Sequence, residues 1–171
     1  METVLIVDDE KNYLILLEAL LSDEGYEVIV TSRPQEALKI AESREIDLII
    51  TDMKMPGISG MDLMDQVHRR YPEIPVIMMT AYATVEKAVE AMKKGAFDYI
   101  TKPFRNEELK LTIKKAINMR KLMEENRLLS EKLKERYQFG AIIGKSKSMR
   151  KIYDIIQKVA PTKATVLITG E

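Results

Sequence analysis

Four short apolar runs of this chain each lead into a side chain suited to phosphate or metal chemistry. Leu48-Ile49-Ile50-Thr51 leads into Asp52, and Thr3-Val4-Leu5-Ile6-Val7 into the pair Asp8-Asp9. Val76-Ile77-Met78-Met79 leads into Thr80, and Phe97-Asp98-Tyr99-Ile100-Thr101 into Lys102. If these runs are strands of one parallel sheet, their C-terminal ends open onto a single edge, where open α/β folds put their sites. Three carboxylates, a hydroxyl and an ammonium then converge. Carboxylates a few ångströms apart repel, or raise one another's pKa, unless a cation joins them. The constellation asks for a hard divalent metal held by oxygen ligands and retained waters, the habit of Mg2+. It also suits an incoming phosphoryl group, for which a carboxylate is an established nucleophile.

Each feature has an ordinary explanation when taken alone. Asp8-Asp9-Glu10 could cap and charge-complement a following helix. Asp52 could be a loop acid ahead of the turn Met53-Lys54-Met55-Pro56-Gly57. Thr80 could be any strand threonine, and Lys102-Pro103 a surface lysine before a loop proline. These explanations are independent of one another, and chance does not bring all four features to one edge.

The elements that must position these residues are legible. Strand-like runs cover Thr3–Asp8, Glu27–Thr31, Asp47–Asp52, Pro75–Thr80 and Phe97–Thr101. Between them, Tyr13, Leu16, Leu17, Leu20 and Leu21 follow helical spacing, and Gly25 is placed to end that helix. Ser32 with Gln35 predicts a capping box. Val85, Ala88 and Met92 line a further helix that Gly95 would end. Five β–α units predict a doubly wound parallel α/β sheet, with strands apolar on both sides because helices cover both faces.

From Asn106 to about Tyr137 no Gly or Pro interrupts a run of good helix formers. One helix of ~45 Å would result, too long to lie only against a small domain. Met119, Leu122, Asn126, Leu129 and Leu133 keep a/d spacing, with Asn126 at an a position, where a lone Asn can fix register and oligomer state. A homodimer through this seam is expected; a solvated connecting helix is the alternative. In the remaining stretch, Ser146–Val159 predicts a helix with Met149, Ile152, Ile156 and Val159 on one stripe, and Thr165–Thr169 a strand. The organisation expected is 1–119, 120–138 (linker helix) and 139–171, the last being the start of a further domain.

Composition narrows the class. Of 171 residues, 32% are charged and 46% apolar, with zero formal net charge, so no general attraction to nucleic acid or an anionic membrane is indicated. No apolar run approaches the ~20 residues that span a bilayer, and the N-terminus has no signal-peptide pattern. Cysteine is absent, which excludes disulfides and thiolate metal sites and fits a cytoplasmic location.

With Asp8-Asp9, Asp52, Thr80-Ala81, Tyr99 and Lys102-Pro103 at matching spacing, residues 1–119 resemble the receiver domain of two-component response regulators. The resemblance implies a five-stranded flavodoxin-like or CheY-like sheet of order 2-1-3-4-5 with a long C-terminal helix. It implies that Asp52 accepts a phosphoryl group from a sensor histidine kinase, with Mg2+ on Asp9, Asp52 and the Lys54 carbonyl and water-mediated help from Asp8. Thr80 and Tyr99 then look like a switch pair and Lys102 like the phosphate-binding lysine, its bond to Pro103 cis. Lys54 and Tyr82, two residues beyond Asp52 and Thr80, would flank the path of a hydrolytic water.

A second resemblance covers the last third. Phe139-Gly140-Ala141-Ile142-Ile143-Gly144-Lys145-Ser146, Val159-Ala160-Pro161 and Val166-Leu167-Ile168-Thr169-Gly170-Glu171 look like the start of the AAA+ domain of NtrC-type sigma-54-dependent activators. AAA+ and DNA-binding domains and sigma-54 RNA polymerase are the partners this implies for a longer protein, and Gly170 would open its P-loop. Gly140 to Ser146 only imitates that motif, with three residues between its glycines where four are needed.

His68, the single histidine, is expected at the surface before Arg69-Arg70. Lys145, Lys147, Arg150 and Lys151 are expected on a solvated helix face, and Met53, Met55, Met78 and Met79 in packing. Two rivals stand beside the phospho-acceptor reading. A haloacid-dehalogenase-type phosphatase needs a second Asp two residues after its nucleophile, and position 54 is Lys. A pseudo-receiver would lack one of the site residues, and none is missing.

Overall fold

The computed structural model describes residues 1–81, 84–139, 142–143, 146–162 and 165–167, excepting the side chains of 132–139, 142–143, 150 and 157. Two compact units divide it, Met1–Met123 and Glu124–Glu171.

In the first unit five strands, β1 (Thr3–Val7), β2 (Glu27–Thr31), β3 (Leu48–Asp52), β4 (Val76–Thr80) and β5 (Asp98–Thr101), form one parallel sheet of order β2-β1-β3-β4-β5. Helices α1 (Lys11–Asp23), α2 (Pro34–Ser43), α3 (Gly60–Arg70) and α4 (Val85–Lys93) connect them, and α5 (Asn106–Tyr137) follows. Alternation along the strands splits the core in two. Leu5, Val7, Ile49, Val76 and Met78 pack with Ala37, Leu63, Met64, Val67 and Ala91 of α2, α3 and α4. Val4, Ile6, Leu48, Ile50, Ile77 and Met79 pack with Leu14, Leu17 and Leu21 of α1 and Leu109, Ile113, Ala116 and Ile117 of α5. Burial on both faces is why β1, β3 and β4 keep their polar residues near their ends.

Gly25 (φ +87°) and Gly95 (φ +102°) end α1 and α4 as expected. At each, the glycine N–H and the next residue's N–H return to carbonyls of the last turn, Ser22 and Leu21 for α1, Met92 and Ala91 for α4. Several local expectations are corrected. The Ser32–Gln35 capping box does not form. Arg33 takes the N-cap position with Pro34 next, and the Arg33 N–H donates to Thr31 Oγ1 (3.2 Å). Proline's fixed φ suits the first helical position, so the helix begins one residue later.

In α1 the buried line is Leu14-Leu17-Leu21; Leu16 faces solvent, with Tyr13 and Leu20 half-buried. In α4 the buried residue is Ala91, while Val85 (77% exposed) and Met92 face solvent and Ala88 is half-buried. Each residue turns the helix by about 100°, so contact along Ala91 rotates its neighbours Met92 and Val85 outward. Met53, Met55, Met78 and Met79 are buried core residues, as expected. Burial along α5 runs through Leu109, Thr112, Ile113, Ala116 and Ile117.

In the second unit β6 (Gln138–Phe139) pairs antiparallel with β7 (Ile142–Ile143), a hairpin not anticipated from the sequence. Helix α6 (Lys147–Val159) begins at Ser146, whose side chain accepts the Met149 N–H (3.2 Å). Tyr153 is its buried side chain; Ile152 is exposed and Met149, Ile156 and Val159 half-buried, so the buried line lies one residue beyond the expected stripe. Residues 165–167 belong to no strand, and Ile168 and Thr169 lie outside the described residues. The strands described in this unit, β6 and β7, pair with each other. Tyr82, Lys145 and the decoy glycines Gly140 and Gly144 also lie outside the described residues, as does the side chain of Arg150. Lys147 and Lys151 are exposed, as expected.

Candidate functional site

In-register pairing brings the strand ends level. Val7 lies across from Thr31 and Thr51, Asp52 from Met79, and Thr80 from Thr101. The backbone ties them further: the Asp8 N–H donates to the Thr31 carbonyl, Met53 to Met79, and Lys102 to Thr80 (2.7 Å). The residues that follow β1, β3, β4 and β5 therefore share one edge.

Lys102 is the hub of that edge. Its Nζ is 2.6 Å from Asp8 Oδ2 and 2.7 Å from Asp52 Oδ1, all three side chains being buried or nearly so, and Glu10 Oε1 lies farther off at 3.6 Å. The second oxygen of each carboxylate takes a backbone donor, Asp8 Oδ1 from the Glu10 N–H (2.9 Å) and Asp52 Oδ2 from the Lys54 N–H (2.6 Å). Burial alone would lower the Lys102 pKa, but its hydrogen bonds to Asp52 and Asp8 and their charges raise it above the ordinary lysine value. The side chain stays an ammonium. Burial raises the Asp8 pKa from its ordinary value, against the pull of Lys102.

Asp9, Glu10, Asp52, Lys54, Thr80 and Ala81 line a cavity of about 240 Å³ beside this triad. Asp9 is exposed and Thr80 buried. Among the described residues no three acidic or histidine side chains are gathered tightly enough to hold a metal unaided. Two carboxylates on one cavity, Asp9 and Asp52, nonetheless match Mg2+, which is usually held by one or two carboxylates and keeps several waters. The all-oxygen donor set fits the group.

Tyr99, on β5 beside β4, is half-buried. Its hydroxyl is buried and makes no hydrogen bond of standard geometry, although it lies near enough to Thr80 to feel that hydroxyl. Burial raises its pKa, with Thr80 opposing. The Lys102-Pro103 bond is cis, as the resemblance implied. A larger hollow, of about 320 Å³, lies among Ile74, Phe97, Met119 and Met123, near the opposite strand ends and away from the Asp8–Asp52–Lys102 cluster. His68 lines it, half-buried against Gly95 rather than free at the surface.

Two residues of the site escaped the sequence reading. Gly60 opens α3, where an added Cβ would stand 2.1 Å from the Asp52 carbonyl oxygen. A Gly directly after Ser59 at a capping box, eight residues past the strand-end acid, was the available signal. By its spacing Tyr13 begins the apolar stripe of α1. Its ring instead lies under Lys102, with Nζ 4.1 Å from the ring centroid. Helical side chains lean toward the N-terminus, so a residue in the first turn after a strand-end site can reach back over it. Of the seam residues, Met119, Leu122 (62% exposed), Asn126 and Leu129 (54%) face solvent, and the Leu133 side chain lies outside the described residues.

A parallel sheet of this order, with acids, a threonine and a lysine at its C-terminal edge, defines a response-regulator receiver. Residues 4–114 match the family described as "Response regulator receiver domain", and the chain belongs to that family. It is 36% identical over 168 residues to the regulatory protein AtoC of Escherichia coli K12, covering 98% of this chain and 36% of that protein. It is 35% identical over 170 residues to a putative response regulator, NtrX-like, of Rickettsia bellii, covering 98% and 35%. Among solved structures, a receiver-domain protein of Clostridium thermocellum superposes with a TM-score of 0.68 at 38% identity, over 72% of this chain and 99% of that one. NtrX of Brucella abortus, in complex with ADP, gives 0.73 at 32% identity, over 95% and 36%. Among response regulators the likeness is to the NtrC-like group. The chain spans about a third of the length of the curated relatives it matches.

Proposed function

We propose that this chain is the phospho-accepting regulatory part of a sigma-54-dependent transcription activator, with Asp52 the acceptor. The observation that carries the reading is the clamp of Lys102 between Asp8 and Asp52, 2.6 and 2.7 Å from their oxygens, beside a cavity that Thr80 also lines. An Asp52 oxygen bonds the phosphorus as the bond from phosphorus to a histidine nitrogen of the partner kinase breaks. Phosphoryl transfer needs little covalent help and much positioning and charge neutralisation. The Lys54 N–H and Lys102 hold the Asp52 carboxylate in place beforehand. Lys102 then neutralises phosphoryl oxygens, and the Thr80 hydroxyl donates to one of them. Receiver domains generally depend on Mg2+; here Asp9, Asp52 and the Lys54 carbonyl would hold it, with Asp8 acting through water. When bound it supplies positive charge to the transferring group.

Thr80 moving toward the phosphoryl group draws its hydroxyl away from the neighbouring Tyr99 phenol and opens space that the Tyr99 ring fills. That movement reaches α4 and α5, which flank β4 and β5. The exposure of Met119, Leu122 and Leu129 supports a homodimer through α5. Residues 1–119 serve as receiver, 120–138 as linker helix and 139–171 as the beginning of the AAA+ domain. The chain is a stoichiometric acceptor rather than a turnover enzyme, and a cytoplasmic one. No described helix is long and apolar enough to cross a membrane.

Acetyl phosphate with Mg2+ is the test. Mass spectrometry should find one phosphoryl group per chain, on Asp52, with EDTA abolishing it. Undiminished labelling of Asp52→Asn overturns the assignment; turnover would favour a phosphatase, and no labelling a pseudo-receiver.

A further inference from the structure

We propose that Tyr13 is a positioning residue for Lys102, holding the ammonium through the face of its ring. The inference rests on the role of Lys102 given above. A lysine head is a compact, strongly hydrated point charge on a flexible stem, with no directional preference of its own. Here two of its donors go to Asp8 and Asp52, and the Glu10 carboxylate at 3.6 Å stands beyond hydrogen-bond range. The Tyr13 ring is a further neighbour, 4.1 Å from Nζ to centroid, well inside the range where a ring quadrupole attracts a cation. The Lys102 side chain is 1% exposed, so water screens that attraction little.

The ring does what a fourth carboxylate could not. It attracts the ammonium without accepting one of its N–H groups in a directed bond. Those donors stay available when Asp52 gives up an oxygen to phosphorus and Lys102 must turn to phosphoryl oxygens. The ring is itself braced: Phe104, two residues past Lys102, lies 6.1 Å from it, centroid to centroid, at a tilt of 42°. Offset and tilted aromatic pairs of this separation are favourable. Tyr13 sits in the first turn of α1, and Phe104 in the loop between β5 and α5. The pair therefore links the two segments that carry Asp8 and Lys102, and fixes the separation of their partners.

The test is a series at position 13. Tyr13→Phe keeps the ring and should label from acetyl phosphate within about twofold of the parent. Tyr13→Leu keeps an apolar side chain without a quadrupole; losing a contact of this kind should slow labelling about tenfold, equivalent to ~1.4 kcal/mol. Progressive ring fluorination of a phenylalanine at position 13 preserves shape while draining the negative face, so the logarithm of the rate should fall steadily with each fluorine. This series also covers a Tyr13→Leu chain that fails to fold. In the metal-free parent protein, NMR should show the Lys102 ε-CH2 protons shifted upfield by the ring current, and the shift should vanish in Tyr13→Leu. Equal rates for Phe and Leu, or no slope with fluorination, overturn the proposal while leaving the site intact. A Lys102→Ala chain that labels at the parental rate overturns the role of Lys102 itself, and this proposal with it.

Discussion

Gly60→Ala should damage the site from behind. Helix α3 starts so close under the end of β3 that the new methyl would stand 2.1 Å from the Asp52 carbonyl oxygen, 3.0 Å from its carbonyl carbon and 3.1 Å from Met78 Cε. Ordinary contact begins near 3.4 Å, so the oxygen and the methyl must separate by more than an ångström. Neither obstacle yields easily. The oxygen belongs to the backbone of a strand buried on both faces, and α3 is fastened there by the Gly60 N–H to Met53 carbonyl bond (3.1 Å) and the Ser59–Asp62 capping box. Overpacking typically costs 1–3 kcal/mol, and an unyielding site belongs at the upper end, ~3 kcal/mol. For a domain of this size that lowers Tm by on the order of 10 °C. Because the displaced residue is the acceptor itself, labelling should slow at least tenfold, since misplacement by about 1 Å can cost 10²-fold.

Thermal unfolding by circular dichroism and acetyl phosphate labelling measure the two effects. Gly25→Ala is the control. It has open space around it but φ +87°, so it should cost ~1–2 kcal/mol of backbone strain and leave labelling unchanged. A Gly60→Ala chain as stable as the parent and labelling at its rate would refute the steric argument.

Lys102→Ala leaves Asp8 and Asp52 facing each other without their cation and should cost ~3–5 kcal/mol in denaturant unfolding. Adding Asp8→Asn should restore much of that; additive losses would show that the two residues are not coupled. Thr80→Val removes the hydroxyl but keeps the shape, and beryllofluoride, which mimics the phosphoryl group, should then no longer alter the NMR signals of Tyr99; an unchanged response separates the two residues. Glu at both Leu129 and Leu133 should convert a dimer to monomer in sedimentation while Asp52 labelling persists, and a parent chain that is monomeric at high concentration, with or without beryllofluoride, removes the seam.

Period and punctuation were enough to mark the sheet, because a strand buried on both faces must be apolar throughout and a helix ending in a left-handed turn needs glycine. The five strand positions, Gly25 and Gly95, and the long helix ending at Tyr137 were all legible for that reason. So was the gathering of Asp8, Asp52, Thr80 and Lys102, since parallel strands put all their C-terminal ends at one edge. What lay beyond local sequence was which side of a helix meets the sheet. Leu16, Val85 and Met92 have the composition of core residues yet face solvent, because a rotation of one residue, about 100°, decides burial and is set by the partner surface. Tyr13 under Lys102 and Gly60 against Asp52 belong to the same class. Tyr13 and Lys102 stand far apart in sequence, Gly60 and Asp52 on either side of a turn, and each contact's distance exists only once the sheet has fixed where those segments stand.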